Sequence, residues 1–535
     1  MKSNCCLYSL GPILLLLVSA CLLSNCDSNA EGQNTPEKPN IVFILADDLS
    51  YRDLSCYGQE VYQTPNLDAL AEGGLRFTQA YSAAPACAAS RGCLLTGLNT
   101  GRGPIRNNGS ALGQHPIVPE DLTIAEVLKE QGYATAMFGK WGLGDPGSGG
   151  EPYLHGFDLS FGYYSQIRAH TFYPDFLWEN DRKVMYPENA GFDMRRRYRI
   201  SREMDESVFN TYDRDGKIYI KELEDPQGGT FSENEIERRA LDFVSEHKQE
   251  PFFLYYATQL PHGPVIVDDF SSMVHLDSIP QPNREWAAMV IKLDEFVGKL
   301  VEKLKQEDLY ENTIIFFASD NGYAHCGYMG RGNYPDWPDD PWFKNKGPFT
   351  GGKFNVLEGG CRVPFFVSWK GQVQASVCSQ PVWLPDFFPT AAKLAGDRNS
   401  YDVDGTDLWP ILSGSEESFV PHDHLYFSNN QEQAVRMGPW KGYRLSPADP
   451  IRIYLVEEDT YGERDLSSVY PEVVNRIGQI MNTAYTPHEW YWTPGESRED
   501  YQAKVSRAHE TGQYIPLHFP NGLTQEDFTK LVSVK

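Results

Sequence analysis

Continuous apolar runs alternate with amphipathic segments along most of the chain. The segments "NIVFILADD" (40–48), "PFFLYYAT" (251–258) and "NTIIFFASDNG" (312–322) are uninterrupted apolar runs, which are typical of strands buried on both faces. The segments 121–133 and 284–304 instead carry apolar residues at helical spacing. This alternation predicts an α/β sandwich with a large, mostly parallel sheet flanked by helices.

The segment "SENEIERRALDFVSEH" (232–247) is also predicted to be a helix. Ile236, Ala240 and Phe243 fall on one face at helical spacing. Ser232 and Glu235 have the spacing of a capping box, in which each side chain bonds the backbone of the other residue. We therefore expect Ser232 to cap this helix.

The regular pattern fails in two places and changes near the C-terminus. Residues 145–230 and 320–350 show no periodicity, which predicts long loops of the kind that are often functional. After Gly414, short alternating segments predict antiparallel strands. We expect a catalytic domain over 39–414 and a smaller C-terminal antiparallel-sheet subdomain over 415–535.

The N-terminus has the pattern of an export signal. Lys2 precedes the apolar run "LGPILLLLVSACLL", which is short for a membrane span and typical of a signal peptide. Because "LVSAC" resembles a bacterial lipoprotein box, we expect a signal peptide over 1–20, lipidation of Cys21 and a polar tether over 21–38. An ordinary signal peptide is the alternative. The predicted location is the periplasm or the surface of a bacterium, with membrane attachment by a lipid anchor only.

The composition indicates a soluble, acidic, ordered protein. With 47 basic and 73 acidic residues, the formal net charge is −26. Such a charge argues against nucleic acid as a partner. An anionic substrate would have to be held by local cations.

Cysteines of the body of the chain do not have zinc-site spacing. There is no C-x-x-C pair, so a structural zinc site is not expected. Export permits disulfides, but the sequence does not choose among the pairings. These cysteines are Cys56, Cys87, Cys93, Cys326, Cys361 and Cys378.

Two of the apolar runs end in oxygen-bearing side chains. Asp47 and Asp48 follow the first run, and Asp320 and Asn321 follow the last. Ligands bind at the carboxyl ends of strands in open α/β sheets. Three carboxylates and an amide form an all-oxygen set that suits calcium or magnesium. The alternative for each pair is an ordinary turn or helix cap.

The stretch "CAASRGCLLTG" (87–97) contains the most specific motif of the chain. Taken alone, Cys87 could be a packed thiol, half of a disulfide, a metal ligand or a nucleophile. The whole stretch resembles the signature of sulfatases in the alkaline-phosphatase-like superfamily, which is Cys, any residue, Pro or Ala, Ser, Arg, a short spacer and Leu/Met-Thr-Gly. The resemblance implies that a maturation enzyme converts Cys87 to formylglycine, and that Cys93 is structural.

The resemblance extends from "PNIVFILADDLSYRDLSCYG" to "AVRMGPWKGYRL" and implies a role for each matched residue. It implies Ca2+ in preference to Mg2+. Arg91 would stabilise the formylglycine, Lys140 and Lys353 would bind sulfate, and His262 would protonate the leaving oxygen. The implied metal ligands are Asp47, Asp48, Asp320, Asn321 and the modified Cys87.

One position departs from the family pattern. Many members read G-K-W-H-L-G, with the histidine contacting formylglycine, whereas this chain has Gly142 there. We expect His170 to take that role, unless it is a core residue. His325 and Arg168 are the expected substrate contacts. The basic stretch "MRRRYRISR" (194–202) either grips an anionic polymer or is a solvated loop.

The predicted activity is hydrolysis of sulfate esters on a carbohydrate, either an algal or other sulfated polysaccharide or its oligosaccharides. One alternative is a phosphoesterase or phosphonate hydrolase of the same superfamily. The other is a catalytically silent, glycan-binding lipoprotein that keeps the fold.

Overall fold

A ten-stranded mixed sheet lies at the centre of the computed structural model, which describes residues 38–193, 209–324, 340–515 and 524. Cys21, His325, the basic stretch 194–202 and most of the predicted signal peptide and tether lie outside these residues. Within the described part of the chain, no helix is both long enough and apolar enough to span a membrane.

The central strands agree with the apolar runs of the sequence, but five of the described strands lie within residues 145–230, where only long loops were predicted. These strands are short and pair with neighbours that their own sequence does not specify. In chain order the strands of the protein are β1 (Asn40–Ala46), β2 (Leu75–Phe77), β3 (Ala80–Tyr81), β4 (Ala134–Lys140), β5 (Leu159–Tyr163), β6 (Phe176–Glu179), β7 (Arg182–Met185), β8 (Thr211–Tyr212), β9 (Ile218–Tyr219), β10 (Phe252–Ala257), β11 (Thr313–Ser319), β12 (Phe365–Ser368), β13 (Ser376–Cys378), β14 (Val382–Trp383), β15 (Leu425–Asn429), β16 (Glu432–Met437), β17 (Trp440–Arg444) and β18 (Arg452–Leu455).

The helices include those predicted from amphipathic spacing. They are α1 (Pro65–Glu72), α2 (Cys87–Thr96), α3 (Ile124–Glu130), α4 (Ser232–Glu246), α5 (Gln281–Gln306), α6 (Glu358–Cys361), α7 (Phe387–Leu394), α8 (Trp409–Leu412), α9 (Pro471–Thr483) and α10 (Arg498–Glu510).

The central sheet is parallel in its middle and contains antiparallel pairs on both sides of it, whereas the edge strand β13 is parallel to β2. Its strand order is β13-β2-β12-β11-β1-β10-β4-β5-β6-β7. The five strands from β11 to β5 in this order are parallel, which confirms the predicted sandwich. Strand β12 is antiparallel to both of its neighbours, and β6 is antiparallel to β5 and β7.

Each face of the sheet is covered by its own hydrophobic core. Side chains of β1 alternate between the two, with Val42 and Ile44 on one face and Ile41 and Phe43 on the other. Helices α1, α4 and α5 cover the first face, and helices α2, α3 and α7 cover the second. Because both faces are covered, the central strands are apolar throughout.

The capping box predicted for α4 is wrong. Phe231 occupies the position before the helix, and no side chain caps it. Ser232 is already inside the first turn, where its hydroxyl accepts a hydrogen bond from Gln259 Nε2 at 2.8 Å. The Ser232 hydroxyl, which the local spacing predicted to cap the helix, is therefore bonded to Gln259, a residue distant in the sequence.

Strands β15 to β18 form the predicted antiparallel sheet near the C-terminus. One face packs on α9 through a cluster that includes Tyr426 and Ile477. The other face contacts the preceding part of the chain, since Phe427 and Ala434 share a cluster with Tyr81. The small sheet is thus packed between α9 and the region that precedes α2.

Candidate active site

The carboxyl ends of four adjacent parallel strands meet at one edge of the central sheet. Asp47 and Asp48 follow β1, and Asp320 and Asn321 follow β11. His262 lies in the loop after β10, and Lys140 is the last residue of β4. All these side chains are buried. The strand order therefore brings together residues from distant parts of the sequence, as expected for a parallel sheet.

Asp48 contacts both Asp320 and Asn321, the two polar residues that follow β11. Asp48 has a left-handed φ of 66°, and its backbone N–H donates to Asp320 Oδ1 at 3.1 Å. Asn321 Nδ2 donates to Asp48 Oδ1 at 2.8 Å. A left-handed aspartate is uncommon, and strained backbone of this kind clusters at functional sites. The turn after β1 is thus shaped to hold these side chains together.

Three buried cations face the three carboxylates. Lys140 Nζ lies 2.6 Å from Asp47 Oδ2, and Lys353 Nζ lies 2.7 Å from Asp48 Oδ1. The third cation is Arg91, whose Nε and Nη2 lie 2.9 and 2.8 Å from Asp320 Oδ2. Buried charges are tolerated when they are paired in this way. The formal charges of these six groups cancel.

Burial and neighbouring charges shift the pKa values of Asp47 and Asp320 in opposite directions. Burial alone would raise the pKa of Asp47, but the neighbouring cations, chiefly Lys140, lower it well below its usual range. Burial and the charge of Asp47 instead raise the pKa of Asp320. Divergent pKa values of neighbouring carboxyl groups are typical of reactive and metal-binding sites.

Cys87 is the first residue of α2 and points into this cluster. It is fully buried, and its Sγ lies 3.9 Å from Asp48 Oδ1. Burial, followed by the charge of Asp320, raises the pKa of the Cys87 thiol. A cysteine nucleophile needs a lowered pKa, so the unmodified thiol is a poor nucleophile here. All five described cysteines of the body, Cys87 included, are free thiols.

Two histidines stack beside Lys353, which lies in the segment between β11 and α6. The rings of His262 and His170 lie 4.2 Å apart and nearly parallel. His262 Nδ1 donates to the carbonyl of Gly263, and its Nε2 lies 3.1 Å from Lys353 Nζ. Burial and the charge of Lys353 lower the pKa of His262, so its ring is neutral. Both predicted histidines are therefore brought to the site.

The space at Gly142 is filled by a residue that the sequence did not suggest. Gly142 has a φ of +79°, and a Cβ placed there would lie 2.6 Å from Gln166 Oε1. This oxygen is buried and has no hydrogen-bond partner among the described residues. The Gln166 amide thus lies where a side chain at position 142 would begin.

Arg168 is nearby, but its guanidinium is engaged elsewhere. It pairs with Asp175 and lies 3.8 Å from the centre of the Phe176 ring. Arg168 and His170 share a short 3-10 helical turn, which explains how one residue faces Asp175 while the other faces His262. The expected substrate contact of Arg168 stays a prediction.

Two further residues beside the site carry no motif signal. Asn108 Oδ1 accepts a hydrogen bond from the backbone of Ala88, at the N-terminus of α2. Asn429, from the C-terminal sheet, donates to the carbonyl of Phe354. An asparagine with a long-range partner looks like any loop residue in a sequence, so only the structure identifies them.

The donor set fits a divalent cation. Asp47 Oδ1 and Asn321 Oδ1 are buried and have no hydrogen-bond partner among the described residues. Ligand atoms of Asp47, Asp48, Cys87 and His262 all lie within 4.8 Å of one another. Unpaired buried oxygens are costly unless a cation binds them. Carboxylates from two strand ends supply the oxygen ligands that calcium and magnesium prefer.

The family model for sulfatases matches residues 39–397, which contain every site residue named above except Asn429. The chain belongs to the sulfatase family. This sulfatase is 31% identical to N-acetylgalactosamine-6-sulfatase of Canis lupus familiaris over 453 residues, which cover 81% of this chain and 75% of the relative. It is 27% identical to N-acetylgalactosamine-6-O-sulfatase of Bacteroides thetaiotaomicron, over 89% of this chain and 99% of the relative.

A solved structure shows the same architecture. The sulfatase described here resembles the crystal structure of Ps i-CgsB with a TM-score of 0.69 and 26% identity, over 89% of this chain and all of the other. A second structure of Ps i-CgsB holds k-i-k-neocarrahexaose. The resemblance confirms the alkaline-phosphatase-like fold, and with the family match it identifies the chain as a sulfuric ester hydrolase.

Proposed function

We propose that this sulfatase removes sulfate from a carbohydrate through a formylglycine at position 87 and a bound calcium ion. The observation that carries the proposal is the setting of Cys87. Its thiol is buried at a helix N-terminus, among three carboxylates and three cations, in an environment that suppresses the thiolate. The matched signature supplies formylglycine at this position, next to the residues that would hold the cation and the sulfate.

Two groups absent from the unmodified chain would contribute chemistry. A hydrated aldehyde at position 87 would offer one hydroxyl to attack sulfur and displace the sugar alcohol. Loss of the proton from the second hydroxyl would re-form the aldehyde and expel sulfate, so no water has to attack the bound sulfate, and a water molecule would then hydrate the aldehyde again. A divalent cation held by Asp47, Asp48, Asp320 and Asn321 would polarise a sulfate oxygen.

Three cationic residues of the chain, Lys140, Lys353 and Arg91, would bind sulfate or hold the site in place. Lys140 and Lys353 contact carboxylates that a divalent cation also needs as ligands. Once those carboxylates bind a cation, the two ammonium groups are available to neutralise sulfate oxygens. Arg91 donates to Asp320 and, through Nη1, to the carbonyl of Lys140 at 2.7 Å, and so holds both strand ends in place.

His262 is placed to act on the leaving oxygen. Its Nδ1–H is held by a backbone carbonyl, which leaves Nε2 directed towards Lys353 and Asp48. The ring is neutral in the free protein, so it has to gain a proton before it can give one. A bound sulfate ester adds negative charge beside the ring and favours that protonation.

The substrate is inferred from the relatives. Two are named as sulfatases of N-acetylgalactosamine 6-sulfate, and the structure of Ps i-CgsB was solved with a carrageenan hexasaccharide. These names support a sulfated galactose or N-acetylgalactosamine unit of a glycosaminoglycan or an algal galactan. His325 and the basic stretch 194–202 remain proposed contacts for it.

Sulfate release tests the proposal directly. Protein made in a host that forms formylglycine would be incubated with chondroitin 6-sulfate and carrageenan, as polymers and as oligosaccharides, and sulfate measured by ion chromatography. Cys87→Ala is the blank, and mass spectrometry of the peptide that carries residue 87 reports its modification. A modified residue 87 with no sulfate release, but with hydrolysis of phosphate or phosphonate esters, would establish the superfamily alternative instead.

We also propose that the protein is exported and anchored by a lipid on Cys21. The support is the sequence of residues 1–38. Expression in a bacterium, followed by detergent phase partition, should place the wild type in the detergent phase and Cys21→Ser in the aqueous phase. An aqueous wild type with residues 1–20 removed would indicate an ordinary signal peptide.

A further inference from the structure

Phe354 is an exposed aromatic residue held in a strained backbone conformation beside the site. It follows Lys353 directly, its side chain is 44% exposed, and its φ is +72°. The left-handed region is unfavourable for a bulky residue. Strain of this kind persists where the surrounding structure imposes it, and it clusters at functional sites.

The ring of Phe354 stands at the entrance to the cluster of charges. Lys353 Nζ lies 5.3 Å from the centre of the ring, and the same nitrogen contacts Asp48 and His262. A group bound between Lys353 and His262 would therefore have the ring as its neighbour on the solvent side. Because almost half of Phe354 is exposed, packing in the core does not explain why a large apolar residue stands here.

Hydrogen bonds on both sides fix the backbone of Phe354. Its N–H donates to the carbonyl of Pro85 at 2.8 Å, two residues before Cys87. Its carbonyl accepts from Asn429 Nδ2, at the end of β15. The ring is thus held by the segment that carries the nucleophile and by the C-terminal sheet.

A chain of asparagines ties these supports to one another. Asn107 Nδ2 donates to Asn429 Oδ1 at 2.7 Å, and Asn107 Oδ1 accepts from the backbone of Asn108. Asn108 Oδ1 in turn accepts from Ala88, the residue after Cys87, at 2.9 Å. The position of the ring relative to residue 87 is therefore fixed by side chains from two separate segments, residues 107–108 and Asn429.

We propose that Phe354 is the platform on which the pyranose ring of the sulfated sugar stacks. The inference rests on the proposed carbohydrate substrate. A pyranose presents one face of C–H groups, and an aromatic ring offers an apolar, electron-rich surface of matching size. Aromatic side chains with a few polar groups are typical linings of ligand sites. The stacked sugar would present its sulfate ester to Lys353 and His262.

Kinetics on variants of Phe354 separate this role from the chemistry. With a chondroitin 6-sulfate disaccharide or a carrageenan tetrasaccharide, whichever the wild type hydrolyses, Phe354→Ala should raise KM about fivefold, which corresponds to about 1 kcal/mol of lost stacking. The value of kcat should stay within about twofold, because the chemistry is untouched. The inhibition constant of inorganic sulfate, which has no sugar ring, should be unchanged. Phe354→Trp should restore KM.

Thermal unfolding excludes a merely structural role. Phe354→Gly removes the ring and accommodates the left-handed φ, so it should raise KM as Phe354→Ala does without lowering the thermal midpoint. Tyr219→Ala, at a 45% exposed aromatic residue on β9, is the matched control and should leave both quantities unchanged. An unchanged KM in Phe354→Ala, or a clear loss of stability in Phe354→Gly, would overturn the platform.

The failure of the platform is distinguishable from the failure of the proposed function. If wild type releases sulfate from the sugar and Phe354→Ala has the same KM, only the platform is wrong. If wild type releases no sulfate although residue 87 is modified, and Cys87→Ala binds no sulfated sugar by calorimetry, the carbohydrate substrate and the platform are both wrong.

Discussion

A fully buried ion pair joins the C-terminal sheet to the catalytic part of the chain. Lys441 Nζ on β17 lies 2.8 Å from Glu358 Oε1 on α6, and neither side chain is exposed. Arg362 Nη1 and the Tyr81 hydroxyl lie 3.3 and 3.0 Å from Glu358 Oε2. The perturbation to make is Lys441→Met, which keeps the length of the side chain and removes its charge.

The size of the effect can be worked from the pKa of Glu358. Burial alone would raise this pKa, but Lys441 and Arg362 lower it from 4.5 to about 2. A difference of that size between the unfolded and folded chain corresponds to about 3 kcal/mol of stability at neutral pH. Removing one partner of a buried pair typically costs about 3–5 kcal/mol. Since Arg362 remains, we expect a loss of about 3 kcal/mol.

The pH dependence of the loss has a definite sign. Because the folded pKa of Glu358 is depressed, its contribution is complete above the unfolded value of 4.5 and is lost as the pH falls towards about 2. In Lys441→Met, burial favours the protonated form of the Glu358 carboxyl, so the variant loses less of its stability as the pH falls. The difference in stability between wild type and variant should therefore shrink between pH 7 and pH 4.5.

Urea unfolding followed by circular dichroism at pH 7 and pH 4.5 measures this difference. Lys370→Met is the control, since its pair with Glu311 is exposed and should contribute nothing measurable. The double variant Glu358→Gln, Lys441→Met should recover part of the loss. A loss below about 1 kcal/mol at pH 7, or a double variant as unstable as the single one, would refute the reasoning.

Three further outcomes are expected. Cys87→Ala should abolish sulfate release and leave the thermal midpoint nearly unchanged, because only a thiol is lost; a large drop would contradict the assigned role. Gly142→His should lower the thermal midpoint, because φ is +79° and the new Cβ would lie 2.6 Å from Gln166 Oε1. Adding Gln166→Gly to this variant should recover part of the lost midpoint. An unchanged midpoint in Gly142→His would count against this packing. Chelation should lower the thermal midpoint, and added calcium should restore it. Calcium at a hundredfold excess over its Kd should raise the free energy of unfolding by about 2.7 kcal/mol. A midpoint that neither treatment changes would argue against the cation site.

The middle of the central sheet could be predicted because its strands are buried on both faces. In β1, β10 and β11 every residue is buried, so the apolar runs are uninterrupted and the polar residues after them stand out. The edges of the sheet could not be predicted in the same way. Strands such as β2 and β13 have three residues each, and their direction depends on the partner they meet.

The residues that complete the site were hidden for a different reason. Lys140 ends a strand and Asp320 follows one, and both belong to matched motifs, so spacing locates them. Gln166 and Phe354 act through the direction of a side chain or through a left-handed φ, both of which are set by tertiary contacts. Ser232 shows the converse, because its local pattern predicts a cap and a tertiary partner, Gln259, takes the hydroxyl.

The position of β1 in the sheet has a consequence for how the chain is made. Both neighbours of β1 come from far downstream, β10 at Phe252–Ala257 and β11 at Thr313–Ser319. During synthesis from the N-terminus, the run "NIVFILA" therefore emerges with both edges unpaired and waits for its partners. Unpaired apolar strands are templates for aggregation, and pairing across such separations is slow. Chains that end before residue 319 should accumulate as insoluble or chaperone-bound material, however well their helices form.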